Sequence, residues 1–304
     1  MKRLSLFAFF AACTLAPATA FAQAPTGIAS QDAASSGATD VAQEGFQTVA
    51  APGEGDDVTE ATISAGGLLT SGNTRSLAVT GVGHFRLRRG DNQLGAAAAA
   101  NFAATDVPRV NPDTGEFERD ANGDPVEDFE PTVQNFQGNL RYDRFFSESL
   151  TGFLSVSGRN DTFQGLDLRL NFSPGLAYYF VVEHGLRFWG ELGYDLQHDI
   201  RNTNFLAEQM LDLDRTETRH NVRAFLGYEN VVNEAITVVT GLEYLQSVNE
   251  TEFWRLNWDL ALTSKLSDSF SIATTFTLKF DASPLPGVEN TDTVTAVNLV
   301  YNLL

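Results

Sequence analysis

Four histidines and a single cysteine are the side chains of this 304-residue chain best suited to nucleophilic, acid–base or soft-metal chemistry. Cys13 lies in an apolar N-terminal run and has no second cysteine to pair with, so neither a disulfide nor a thiolate metal centre is expected. An acyl-transfer site would set a hydroxyl nucleophile beside an imidazole base. His198 and His220 are the one histidine pair that the pattern described below brings near each other, and no serine lies within three residues of either. His84 and His184 stand apart from them. The expectation is therefore a protein that is not an enzyme.

Hard-metal chemistry has one candidate. Between Thr105 and Pro131 stand Asp106, Asp113, Glu116, Glu118, Asp120, Asp124, Glu127, Asp128 and Glu130, with only Arg109 and Arg119 against them. Asp120, Asn122 and Asp124 alternate oxygen ligands along a turn, as a Ca²⁺ loop does. The glycine and the closing Glu127 miss the EF-hand spacing, so a solvated acidic loop and no cofactor are expected there, with weak Ca²⁺ binding as the minor alternative. With 20 Lys and Arg against 39 Asp and Glu, the net charge of −19 speaks against a nucleic-acid partner.

The third set of chemically useful residues is spread along the chain: Arg141, Asp143, Arg159, Asp161, Arg169, Glu191, Asp195, Arg223, Arg255 and Asp259. All fall on the polar parity of segments in which every second residue is apolar, the period of a β-strand. Phe136, Gly138, Leu140 and Tyr142 alternate with Asn135, Gln137, Asn139, Arg141 and Asp143. Leu186, Phe188, Gly190, Leu192, Tyr194 and Leu196 alternate likewise with Arg187, Glu191 and Asp195, and Trp189 is the one large aromatic on the polar side. Counting from Ala61–Leu69, the pattern recurs over twelve segments, the last ending at Leu303.

Short connections at 89–92, 147–149, 182–185, 232–234 and 267–269 alternate with mostly longer ones at 71–74, 105–131, 161–167, 199–216, 248–251 and 283–291. Bacterial outer-membrane barrels join their strands in this way, with tight periplasmic turns and longer outer loops. The expected fold is all-β: a transmembrane antiparallel up-and-down barrel of about twelve strands over residues 59–304, with its apolar parity in lipid. Tyr142, Tyr178, Tyr194, Tyr228, Tyr244, Trp254 and Tyr301 sit where an interfacial aromatic girdle belongs. Lys2 and Arg3, the run Leu4–Leu15 and Ala20-Phe21-Ala22 read as a signal peptide over residues 1–22, with lipidation at Cys13 the minor alternative. Residues 23–58, acidic and poor in apolar side chains, read as a disordered periplasmic tail.

Three stretches resemble a known family, the salt-induced outer-membrane proteins of Gram-negative bacteria, domain-of-unknown-function family 481. Gly66–Thr74 (Gly-Gly-Leu-Leu-Thr-Ser-Gly-Asn-Thr) looks like its opening strand and turn. Residues 161–169 are similar to its Asp-x-Phe-x-Gly-x-Asp-x-Arg stretch, and Gly175-Leu176-Ala177-Tyr178 to its Gly-x-Gly-Tyr, with Ala177 in place of the second glycine. The resemblance covers about residues 60–304 and implies an outer-membrane location, but no activity. One departure is the C-terminus, where Leu303 and Leu304 replace the usual final aromatic.

The inward charges are nearly balanced, unlike the single-sign lining of a strongly selective pore. They either pair into a plug, with Arg169 opposite Asp161 or Glu191, or leave a narrow lumen for small polar solutes or ions. The expected function is an envelope barrel or narrow diffusion channel linked to salt or envelope stress. The alternatives are an enzyme acting on lipid or lipopolysaccharide and a structural or adhesive barrel. Expected partners are outer-membrane lipid, lipopolysaccharide and the barrel-assembly machinery; the sequence does not fix the oligomeric state.

Overall fold

The computed structural model describes residues 57–70, 76–111, 114–121, 123, 125–162, 165–183, 185–208, 210–284 and 290–303. Residues 1–56, on which the expected signal peptide and most of the expected tail fall, residues 71–75, Asn122, Asp124, Phe163, Gln164 and His184 lie outside the described residues. Twelve strands follow one another: β1 (Asp57–Thr70), β2 (Ser76–Arg89), β3 (Asn92–Pro108), β4 (Glu127–Phe145), β5 (Leu150–Asp161), β6 (Leu166–Glu183), β7 (Leu186–Arg201), β8 (Thr216–Asn233), β9 (Ile236–Ser247), β10 (Trp254–Lys265), β11 (Phe270–Asp281) and β12 (Thr291–Asn302). Each pairs antiparallel with its neighbours in sequence, and β1 pairs with β12 to close the barrel.

The alternation decides which face is which. Phe136, Leu140, Leu176 and Leu192 are 54–64% exposed, whereas Asp143, Asp195, Glu243 and Asp259 are at most 1% exposed. A closed sheet that is apolar outside and polar inside inverts the soluble arrangement and suits a bilayer, where no open edge can be satisfied. Strands of 12 to 19 residues exceed the roughly 9–11 needed to cross hydrocarbon, so their ends form rims above and below it.

Three boundaries differ from the sequence reading. β1 begins at Asp57, four residues before Ala61. The acidic segment 105–131 is not wholly a loop, because β3 runs to Pro108 and β4 starts at Glu127. Arg109 donates to both carboxylate oxygens of Asp128, at 2.8 and 2.6 Å, and bridges Val110–Phe117 and Arg119–Pro125 extend the hairpin. Pairing there carries no apolar alternation because both faces meet water. The 199–216 connection contains a helix, α1 (Thr203–Glu208), capped by the Asn202 side chain, whose oxygen accepts the N–H groups of Asn204 and Phe205.

Two inward glycines make room for aromatic rings on neighbouring strands. The Trp189 ring lies against Gly227, and the Phe153 ring against Gly175. A Cβ at either glycine would overlap the ring, so these joints fix where both aromatics lie inside the barrel.

Candidate functional site

The ten polar residues singled out in the sequence all lie on the inner face, and the registers sort them into layers. In the central layer Arg141 pairs with Asp143 and Glu191, both at 2.9 Å, and Arg223 with Glu191 at 2.7 Å and Glu243 at 2.6 Å. Asn257 donates to the second Glu243 oxygen at 3.1 Å. Toward the longer connections, Arg169 forms a two-pronged pair with Asp199 at 2.7 Å. Arg255 donates to Gln197, which donates in turn to Asp199. Asp195, wholly buried, accepts from Ser173 at 2.7 Å, Asn221 at 3.0 Å and Asn171 at 3.1 Å. Arg159 pairs with Asp161 at 2.6 Å, and Asp259 accepts from Thr277 at 2.6 Å.

Arg169 thus meets neither Asp161 nor Glu191. The β6–β7 register sets it directly across from Asp199, a residue the sequence reading assigned to a loop. Two parity choices and a bulge in β6 settle that pairing, and none of them is visible in a single strand.

An apolar layer inside the barrel was also missed apart from Trp189. Phe153, Ala177, Tyr179, Trp189, Phe225, Val239 and Ala261 form one buried cluster contributed by six successive strands, β5 to β10. Tyr179 stacks on Trp189 with ring centroids 6.2 Å apart, and Trp189 tilts against Phe225 at 6.1 Å. The guanidinium of Arg141 sits 4.2 Å over the Phe153 ring, joining the apolar layer to the charged one. Apolar residues on the charged parity of those strands were the signal that could have revealed it.

His198 and His220 face outward on adjacent strands without meeting. His198 hydrogen-bonds Thr218 at 2.8 Å, and His220 hydrogen-bonds Tyr194. No three His, Cys, Asp or Glu side chains converge among the described residues, and two members of the Ca²⁺ candidate, Asn122 and Asp124, lie outside them. Outside the spanning strands, the Lys265 ammonium holds the Asp268 carboxyl below its ordinary range by hydrogen bond and charge.

The stretch 161–169 fastens the rim. Gly165 takes a φ of 66°, open to few other residues, and the Phe205 ring of α1 packs against it. Its carbonyl accepts the Asn202 N–H at 2.8 Å, and Asp167 accepts from the Asn202 side chain at 2.8 Å. With Asp161 held by Arg159 and Arg169 by Asp199, the stretch ties β5, β6, β7 and α1 together. Ala177, at the glycine position of the next motif, is wholly buried in the apolar layer, where its methyl adds to the packing.

The family profile described as "Protein of unknown function, DUF481" matches residues 63–303. The chain belongs to this family. No curated protein matches it. Among solved structures, the NanC porin is 10% identical with a TM-score of 0.44, covering 80% of this chain and 97% of that one. The translocator domain of the autotransporter NalP from Neisseria meningitidis is 12% identical with a TM-score of 0.40, covering 81% and 87%. An outer membrane channel from Pseudomonas putida F1 is 10% identical with a TM-score of 0.40, covering 84% and 99%. Similarities of this size say nothing about what this chain binds or passes.

Proposed function

We propose that this DUF481 member is an outer-membrane barrel that forms a narrow diffusion route for small polar solutes or ions, in an envelope exposed to salt stress. One observation carries the reading: charged and polar side chains line the inner face on either side of one apolar level, in a ring of twelve strands whose circumference exceeds the eight-strand barrel that side chains simply fill. Its charges pair instead of forming a ring of one sign, so the route discriminates weakly between anions and cations. The leader-like residues 1–22 support export. Outward Tyr301, packed on Phe270 with centroids 4.9 Å apart, supports recognition of β12 by the assembly machinery. A lipid-facing hollow of about 640 Å³, lined by Phe85, Phe136, Leu140 and Leu170, suits an acyl chain of the surrounding lipid.

Planar-bilayer recording of the purified, heat-modifiable barrel tests the reading. Small, steady conductance with a reversal potential near zero in a salt gradient is expected. Arg255→Glu, at a position that forms no ion pair among the described residues, should shift the reversal potential toward cation preference. A folded barrel in which neither Arg255→Glu nor the wild type conducts, even after the interior is opened as described below, would favour a purely structural role.

A further inference from the structure

The charged layers explain a polar wall but not the apolar cluster inside it. An outer-membrane barrel places its apolar residues toward lipid and needs none in the lumen for stability against the bilayer. Here Trp189, Tyr179, Phe225 and Phe153 are 2–6% exposed on the inner face, together with Val239 at 1%. Phe153, Trp189 and Val239 each stand three residues in from the short-turn end of their strands, so the layer lies in the half of the barrel nearest the tight turns.

The position of each ring is set by the wall, not by chance collapse. Trp189 is seated against Gly227 and Phe153 against Gly175, and each seat would be lost if the glycine carried a side chain. On the far side of the rings, Arg141 lies 4.2 Å above Phe153, and Arg223 lies 5.4 Å from the centre of Phe225 and 5.8 Å from that of Phe153. Both arginines are themselves held by Glu191, a single carboxylate that bridges them. The inward residues Ala97 and Ala99 of β3 are small, whereas the rings of the apolar cluster come from β5 to β8.

We propose that Phe153, Tyr179, Trp189 and Phe225 form an apolar septum that closes the lumen near its tight-turn end, clamped by Arg141 and Arg223, and that its displacement sets the flux of small hydrated solutes. The inference rests on the channel reading and names its barrier. An apolar constriction stops ions by denying them hydration, whatever the balance of charge above it. On the other side of the septum the inner face is the buried hydrogen-bonded network of Asp195, Asn171, Asn221 and Asp199, and Trp189 sets the apolar step that a solute must pass beyond it.

The test compares the conductance of the full-length chain with that of Trp189→Ala, Trp189→Phe and Leu192→Ala, the last a lipid-facing position 64% exposed. Heat-modifiable mobility on a gel establishes that each barrel is folded. Trp189→Ala is expected to raise conductance several-fold, while Trp189→Phe and Leu192→Ala stay near wild type. If Trp189→Ala does not fold, Tyr179→Ala, which leaves Trp189 seated on Gly227, is read in its place. A silent wild type with a conducting alanine variant supports both the septum and the channel. A conducting wild type unchanged by a folded alanine variant overturns the septum and spares the channel, and silence in every folded variant overturns both.

Discussion

Arg223 shows what one inward side chain does in this wall. It is 2% exposed and bound to Glu191 and Glu243, each as buried as itself. Removing one member of such a group leaves the others charged in a medium that solvates them poorly, and this costs roughly 3–5 kcal/mol. Arg223→Met should therefore lower the temperature at which the folded band is lost on a gel, with Glu191 and Glu243 left uncompensated. Lys265→Met offers the contrast, because the Lys265–Asp268 pair lies at an exposed turn and should leave that temperature unchanged. Equal effects of the two variants would mean that water reaches the central layer freely.

At the scale of elements, the glycine seats and the rim motif matter more than strand propensity. A valine at Gly227 meets the Trp189 ring, and overpacking of this kind costs typically about 1–3 kcal/mol. Gly83→Val, at a lipid-facing position with open space around the missing Cβ, should be tolerated. Thermal melting of the two variants in the same detergent checks the difference, and indistinguishable melting would show that Trp189 is free to leave its seat. The stretch Gly165–Arg169 works at the same scale, binding α1 to the rim through Asn202 and Phe205 so that the connection between β7 and β8 is held beside the mouth.

For the molecule as a whole, closure is the property everything else depends on. Among the described residues the β1–β12 seam carries four register partners, Thr62–Ala65 against Leu299–Asn302, and the β1–β2 pair fourteen. Ser64 and Val300 face each other across that seam, and both point inward. Directly opposed antiparallel residues lie at about 4.5–5.5 Å between Cα atoms, within the range a disulfide spans. Ser64→Cys with Val300→Cys, in a Cys13→Ser background, should cross-link under oxidation and raise the unfolding temperature relative to the reduced form. Failure of the folded barrel to cross-link would place the seam in another register.

The strand count, the lipid-facing parity and the identity of the inward charged residues were legible in the sequence, because a period of two is a local property and a bilayer enforces it on every strand. Phe136, Leu140 and Tyr142 declared one face, and Asn139, Arg141 and Asp143 the other. Partnership was not legible. Arg169 meets Asp199 only because β6 and β7 align at that register, and a shift of two residues would keep every face while changing every pair. Nor was the apolar layer legible, since nothing in the local pattern around Phe153 or Phe225 shows that six strands bring them together with Trp189. Facing is set by each strand's own backbone, whereas level and register belong to the closed sheet, and these the tertiary structure alone decided.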